Sequence, residues 1–356
     1  MTHSIHARPK APSGAGMVIG WDIGGVNTKA ARVDIDAGRP SLAGTASAAL
    51  EMERNSAALV ATLCRLAAGL GGGSAVHAVT MTAELSQAFR TKREGVGYVL
   101  AAVASAFPGD PVSVYGIEGR FLDPAEARER PLEVGGANWA ATARFVGQQM
   151  PDCLLVDIGT TSTDIIPLVD AEPKTVGRTD PERLLSGELV YTGALRTPVE
   201  AIARVVPLRG GLCPLAAERF ALIGDVYLWL GALEAGDYTV ATPDGRPATR
   251  EFAGERLARA VCADAEMLDE EAVATIARAL AEAQVLMVAH AMRRVRARHP
   301  MIATAVVTGL GDFIGAEAAR RLGLEVSPLA DRIGDAARAA PAAAVAWLLA
   351  EAAVTR

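Results

Sequence analysis

The sequence predicts an α/β protein of two domains around a central cleft, and three observations carry that expectation. The chain is 356 residues long, and at roughly 150 residues per domain that length holds two cores. It is 51% hydrophobic and 21% charged, a globular profile that excludes disorder, coiled coil and collagen. Finally, an apolar run ending in Asp-Ile-Gly, a short polar turn and a second apolar run occur at Met17–Asp34 and again at Cys153–Asp170. Such a recurrence marks an internal duplication.

The segment MVIGWDIGGVNTKAARVD reads as a strand, a glycine turn at Gly24 and Gly25, and a second strand. Leu59, Leu63, Leu66 and Leu70 fall at helical spacing and end at Gly71–Gly73. Residues 75–81 read as a buried strand, 84–93 as a helix start, 95–107 as a buried helix and 111–115 as a strand. A helical pattern runs from Asn138 to Met150, and Pro151 breaks it ahead of CLLVDIGTTSTDIIPLVD. Helices are expected at 253–263 and 270–298, then a strand at 303–308, a turn at Gly309–Gly311, a helix at 315–322 and a last helix at 335–354. The domain reading is a flexible tail over 1–16, a first domain over 17–140 completed by the C-terminal helix 331–356, and a second domain over 141–330.

Lysine and arginine number 35 against 41 aspartates and glutamates, a net charge of -6. That balance argues against a nucleic-acid partner, because phosphate neutralisation needs basic excess. The run Arg293, Arg294, Arg296, Arg298 reads as a solvated helix terminus, where cations suit the dipole. Cys64, Cys153, Cys213 and Cys262 are too far apart for a CxxC knuckle and read as reduced, buried thiols of a cytoplasmic protein. No signal peptide and no membrane span is expected, and the oligomeric state is left open.

In DIGGVNTK the glycines Gly24 and Gly25 let the backbone approach a phosphate, Asn27 and Thr28 offer donors, and Lys29 adds a positive charge. Asp22, at the strand end, suits a water-bridged Mg2+. Alone, this is equally a tight hairpin. The second copy strengthens the ligand reading: Asp157 and Asp164 flank Gly159 and the hydroxyl run Thr160, Thr161, Ser162, Thr163. VVTGLGD adds a late glycine turn with Gly309 and Gly311.

Two Asp-Gly hairpins followed by a late glycine turn resemble the actin, sugar kinase and Hsp70 superfamily, which implies two ribonuclease H-like domains. Within it, GWDIGGVNTKAARVD, TMTAELSQAFRTKREGV, ANWAATA, LLVDIGTTSTDIIPL, GELVYTGALRTPV and VVTGLGDFIG are similar to hydantoinase/oxoprolinase-like proteins of tetrahydromethanopterin-linked one-carbon metabolism. The branch they resemble forms the phenoxymethyl ether of methanofuran or methylofuran. The resemblance implies a transferase that condenses an (aminomethyl)furanmethyl diphosphate with the phenol oxygen of a glutamylated tyramine or tyrosine, releasing diphosphate. The alternative is an ATP-dependent small-molecule kinase or an oxoprolinase-like hydrolase.

On that implied chemistry, Mg2+ held by Asp22 and Asp157, together with Lys29, Thr160, Thr161 and Thr163, neutralises the departing diphosphate. Glu84 follows the strand at 75–81 and reads either as the base that takes the phenol proton, pointing into the cleft, or as a first-turn acid of a helix. Lys92 and Arg93 read either as ligands of the diphosphate or glutamate tail, or as solvated helix charges. Tyr191, Arg196 and Thr197 either line the substrate pocket or belong to an ordinary hairpin. Asp164 reads as a turn residue as readily as a ligand.

Overall fold

The computed structural model describes residues 16–355, so the expected N-terminal tail lies, Gly16 apart, outside the described residues. The chain divides into two compact units. One holds the chain through Pro151, Ala171–Pro173 and the segment from Ile333; the other holds Asp152–Asp170 and Lys174–Arg332.

The first unit is built on β1 (Met17–Ile23), β2 (Asn27–Asp36), β3 (Arg39–Ala49), β4 (Val76–Met81), β5 (Val112–Tyr115) and β6 (Phe121–Leu122), in the order β3-β2-β1-β4-β5-β6. β1, β2 and β3 form an antiparallel meander, and β4 and β5 continue from β1 in parallel. Central strands are covered on both faces, which is why β4 is buried at every position while the edge strand β3 alternates half-buried with exposed residues. Helices Leu59–Gly69 and Lys92–Ala106 pack Leu63, Val99 and Leu100 into one core with Trp21 and Val79. Helix Ala340–Val354 lies directly on β1, where a Cβ on Gly20 would overlap the Ala342 carbonyl; Ala31, Ala339 and Ala343 keep that contact close.

Helix Asn138–Gly147, placed by the sequence reading largely in the second domain, belongs to the first unit. Phe145 meets Trp347 edge to face at 5.9 Å, and Gln148 donates to Glu351 at 2.7 Å. The helix expected to start at Glu84 starts instead at Lys92, because Thr91 caps it by accepting from the Glu94 amide.

The second unit repeats the hairpin with β7 (Cys153–Ile158) and β8 (Thr163–Val169). Four short strands follow: β9 (Glu172–Pro173), which groups with the first unit, β10 (Leu189–Val190), and the separate hairpin of β11 (Val205–Leu208) and β12 (Gly211–Pro214). With β13 (Thr304–Thr308) and β14 (Glu325–Pro328) the main sheet runs β10-β8-β7-β13-β14, and β13 and β14 are parallel to β7. Both sheets thus join an antiparallel hairpin to parallel strands beside its first strand, the duplicated ribonuclease H-like arrangement.

Helix Glu270–Arg296 backs the second sheet, capped by Asp269, with Glu270 and Glu271 in its first turn and arginines in its last. It and Ala330–Val354 are long and apolar enough to cross a membrane by length and composition alone. Both put their apolar residues into protein cores, Ile276, Leu280, Val288 and Met292 in one and Ala343, Val345 and Leu349 in the other. The arginine run is not merely solvated: Arg294 donates to Leu185 O, Arg296 to Ile302 O and Leu322 O, and Arg298 to Ser186 O and the buried Glu188. Of the four cysteines, all free, only Cys153 is buried; Cys64 and Cys262 are exposed.

Candidate active site

Each hairpin turn closes through its glycine. The Gly24 amide donates to Asn27 O at 2.9 Å and the Gly159 amide to Ser162 O at 3.0 Å, so each unit presents an aspartate two residues before an equivalent tight turn. Asp22 lies opposite Lys29 on β2 and beside Thr80 on β4; Asp157 lies opposite Asp164 on β8 and beside Thr308 on β13.

In the first unit, strand alternation puts Asp22, Asn27 and Lys29 half-buried and turns Thr28 fully inward. This corrects the expectation for Thr28, whose hydroxyl is not offered to a ligand. Lys29 is anchored, its Nζ donating to Arg338 O at 2.7 Å. A Cβ on Gly24 would sit 2.7 Å from Asn27 O, so the turn itself requires this glycine, whereas Gly25 faces open space. The carbonyls of Gly25 and Val26 accept from the Met52 and Leu50 amides and so hold the segment just after β3 against the turn.

Glu84 sits in a three-residue 3-10 turn after β4, too short to carry a helix dipole. It does not project openly: the residue is 2% exposed, and its Oε1 is 3.2 Å from Lys92 Nζ. Two glycines make the niche, since a Cβ on Gly95 would be 2.5 Å from the Glu84 Cα and one on Gly135 3.1 Å from its Cγ. Lys92 is therefore committed to Glu84, while Arg93 ties down the next helix by donating to Arg128 O.

The second unit gathers three segments at its turn. Asp157 is nearly buried, and Gly159, Thr160 and Thr161 are half-buried. The Ala194 amide donates to Gly159 O, and the Leu195 and Arg196 amides donate to Thr160 O. Gly309, at φ +89°, leaves no room for a side chain: its Cβ would meet Ile158 O and come within 2.6 Å of Asp157 Oδ1. The Gly311 amide donates to Ile158 O at 2.9 Å. Arg196 is half-buried beside this turn, and among the described residues no acceptor pairs with its guanidinium. Tyr191, by contrast, is exposed.

Two hydroxyl and carboxyl groups near the turn are structural. Thr163 is fully buried and donates to Thr192 O at 2.7 Å, which corrects its assignment as a diphosphate ligand. Asp164 is no turn residue: on β8 it accepts from Arg183 at 2.8 Å, and burial pushes its carboxyl up while Arg183 opposes the shift. Gln284 is a residue that sequence reasoning missed. It bonds Thr192 and Gly193, and a lone amide on the apolar face of a long helix was the available signal.

The sequence profile of hydantoinase/oxoprolinase proteins matches residues 75–352, most of the chain. The chain belongs to the hydantoinase/oxoprolinase family. Its curated relatives include the (4-{4-[2-(gamma-L-glutamylamino)ethyl]phenoxymethyl}furan-2-yl)methanamine synthase of Methanocaldococcus jannaschii, 40% identical over 67% of this chain and 71% of that one. The protein of the same name from Methanococcus vannielii is 32% identical over 58% of this chain and 95% of that one. Among solved structures, an acetone carboxylase in its nucleotide-free form is similar over 92% of this chain and 70% of that one, with a TM-score of 0.57 at 12% identity. That likeness concerns the α/β fold alone.

Proposed function

We propose that this family member is a transferase of methanofuran or methylofuran biosynthesis. It joins an (aminomethyl)furanmethyl diphosphate to the phenol oxygen of a glutamylated tyramine or tyrosine. The observation that carries the reading is the name shared by both relatives, whose product holds a phenoxymethyl ether on a furan. In the step, the bond between the furan methylene and the diphosphate oxygen breaks, the phenol oxygen bonds that methylene, and the phenol proton passes to a base. Furan stabilises positive charge on the methylene, so the help most needed is at the leaving group. The ATP-dependent kinase or hydrolase reading is not favoured, because the donor is already activated.

The second unit's turn suits the leaving diphosphate. Arg196 supplies a cation uncommitted among the described residues, Thr160 and Thr161 supply hydroxyls, and Gly309 and Gly311 allow close approach. Among the described residues no three of His, Cys, Asp and Glu cluster as metal ligands. What the turn offers instead is a single carboxylate, Asp157, beside the Thr160 and Thr161 hydroxyls, an all-oxygen set that would suit Mg2+ shared with a diphosphate. Asp157 would hold it, and Asp22 is the equivalent carboxylate of the first unit. When bound, Mg2+ neutralises charge on the leaving group. Glu84 is assigned the phenol proton. We place the protein in the cytoplasm, where its free thiols persist.

The test is incubation of the purified protein with Mg2+, the furanmethyl diphosphate and the glutamylated phenol. Diphosphate release and the phenoxymethylfuran mass are expected without ATP, and ether formed only as ATP is consumed would replace this reading. Calorimetry with inorganic diphosphate is expected to show affinity falling in EDTA and in Asp157→Asn.

A further inference from the structure

Gln284 lies wholly buried on helix Glu270–Arg296, on a buried face otherwise apolar. A buried amide is tolerated only when its hydrogen bonds are made, and here they are. Nε2 donates to Thr192 Oγ1 and to Gly193 O, both at 2.8 Å, and Oε1 accepts from the Tyr227 hydroxyl at 2.7 Å. The orientation is fixed by chemistry, because the Gly193 carbonyl can only accept and so must face the NH2 group.

The groups it holds are the backing of the proposed diphosphate turn. A Cβ on Gly193 would lie 2.5 Å from Thr161 N and 2.6 Å from Thr160 C, so this segment touches the turn with no side chain between. Thr192 and Thr197 hydroxyls bond at 3.0 Å, closing the segment into a loop that carries Arg196. Tyr227 meets Phe313 edge to face at 4.9 Å, on the helix Asp312–Arg321 that follows the Gly309–Gly311 turn. Gln284 therefore reaches the backing of the Gly159–Ser162 turn directly and the helix after the Gly309–Gly311 turn through Tyr227.

We infer that Gln284 is a positioning residue: it sets the loop of residues 192–197 against the Gly159–Ser162 turn and so fixes where Arg196 meets a diphosphate. The inference rests on the proposed function for the identity of the ligand, and on geometry alone for the loop.

The full-length protein, Gln284→Leu, Gln284→Glu and Tyr227→Phe are compared by calorimetry with inorganic diphosphate and Mg2+, and by hydrogen exchange over residues 190–197. Gln284→Leu is expected to bind diphosphate about tenfold or more weakly, the loss of roughly one charge-assisted contact, with faster exchange in the loop. Tyr227→Phe removes only the hydroxyl, keeps the Phe313 contact and is expected to show a smaller loss of the same kind; it decides the matter if Gln284→Leu fails to fold. Gln284→Glu supplies the readout that a merely structural role would not move. As a buried carboxylate it faces the Gly193 carbonyl without a donor, but once protonated it regains one, and burial raises the pH at which that occurs. Its affinity relative to wild type is expected to recover as pH falls from 8 to 5.5. Wild-type affinity and unchanged loop exchange in Gln284→Leu and Tyr227→Phe would overturn the inference. A wild-type protein that binds no diphosphate while the loop loosens in the variants would overturn the functional reading and leave the positioning role standing.

Discussion

In the first unit the glycine turn is backed by the segment that follows β3, whose Leu50 and Met52 amides reach Val26 and Gly25, and its cation, Lys29, is spent on the Arg338 carbonyl. In the second unit the equivalent turn is backed by residues 194–196, its threonine hydroxyls stay half-exposed, and its nearby cation, Arg196, has no acceptor among the described residues. Duplication has kept the turn and changed what stands behind it. Identical local geometry therefore does not assign identical chemistry; the groups left uncommitted do.

The largest expected effect breaks or upholds that asymmetry. Arg196→Ala should lower turnover by about 10²–10³-fold, the usual cost of removing one charge-stabilising donor. Lys29→Ala should cost no more than about tenfold, as loss of an ordinary tethering contact. Steady-state diphosphate release measures both, and equal losses would mean that the two turns share the work.

A loss of about 10²-fold is expected for Glu84→Gln if its carboxylate takes the phenol proton. Single-turnover ether formation is the appropriate measurement, because it isolates the step in which the proton leaves. A rate near wild type would hand that proton to water and leave the Glu84–Lys92 pair a structural element held between Gly95 and Gly135.

The hairpins were legible because Asp-Ile-Gly followed by small polar residues leaves few alternatives to a strand, a tight turn and a strand. β3 was not, since Arg39–Ala49 is mostly small and polar and shows no apolar period; it is a strand because β2 offers it an edge. The start of helix Lys92–Ala106 was readable after all, for Thr91-Lys-Arg-Glu94 carries the capping pattern that the alanine-rich stretch after it obscured. Thr28 and Thr163 were assigned by residue type, and only strand alternation and burial show that each points inward. Contacts such as Gln284 with Thr192, or Lys29 with Arg338, join distant segments and leave no local trace.

A smaller effect separates the glycines. Gly309→Ala forces a Cβ at positive φ against Ile158 O and Asp157 Oδ1 and should destabilise the protein by about 1–3 kcal/mol. Gly25→Ala enters open space at an ordinary φ and should change stability by less than about 0.5 kcal/mol. Thermal unfolding distinguishes them, and a similar Tm for both would remove the steric argument for the second site.

The smallest effect lies away from both turns and concerns the first unit alone. His77 is buried, stacked on Phe107 at 3.9 Å, and its Nδ1 accepts from the Trp21 indole at 3.0 Å while its Nε2 faces Asp110 at 3.3 Å. Burial lowers its pKa from the ordinary 6.5, with Asp110 opposing the shift. The unfolded chain therefore takes up this proton at higher pH than the folded one, so the stabilisation is complete above about 6.5 and is lost as pH falls towards the folded value. Protonation at Nδ1 also turns an acceptor into a donor facing the Trp21 N–H, so the indole should report the change. Trp21 fluorescence, assigned by its absence in Trp21→Phe, is expected to shift on acidification together with faster exchange in β1 and β4. His77→Gln keeps an acceptor for the indole but does not titrate; its stability should be lower at pH 7.5 and flatter between pH 6.5 and 5. An equally steep slope in that variant would place the acid sensitivity elsewhere in the first unit.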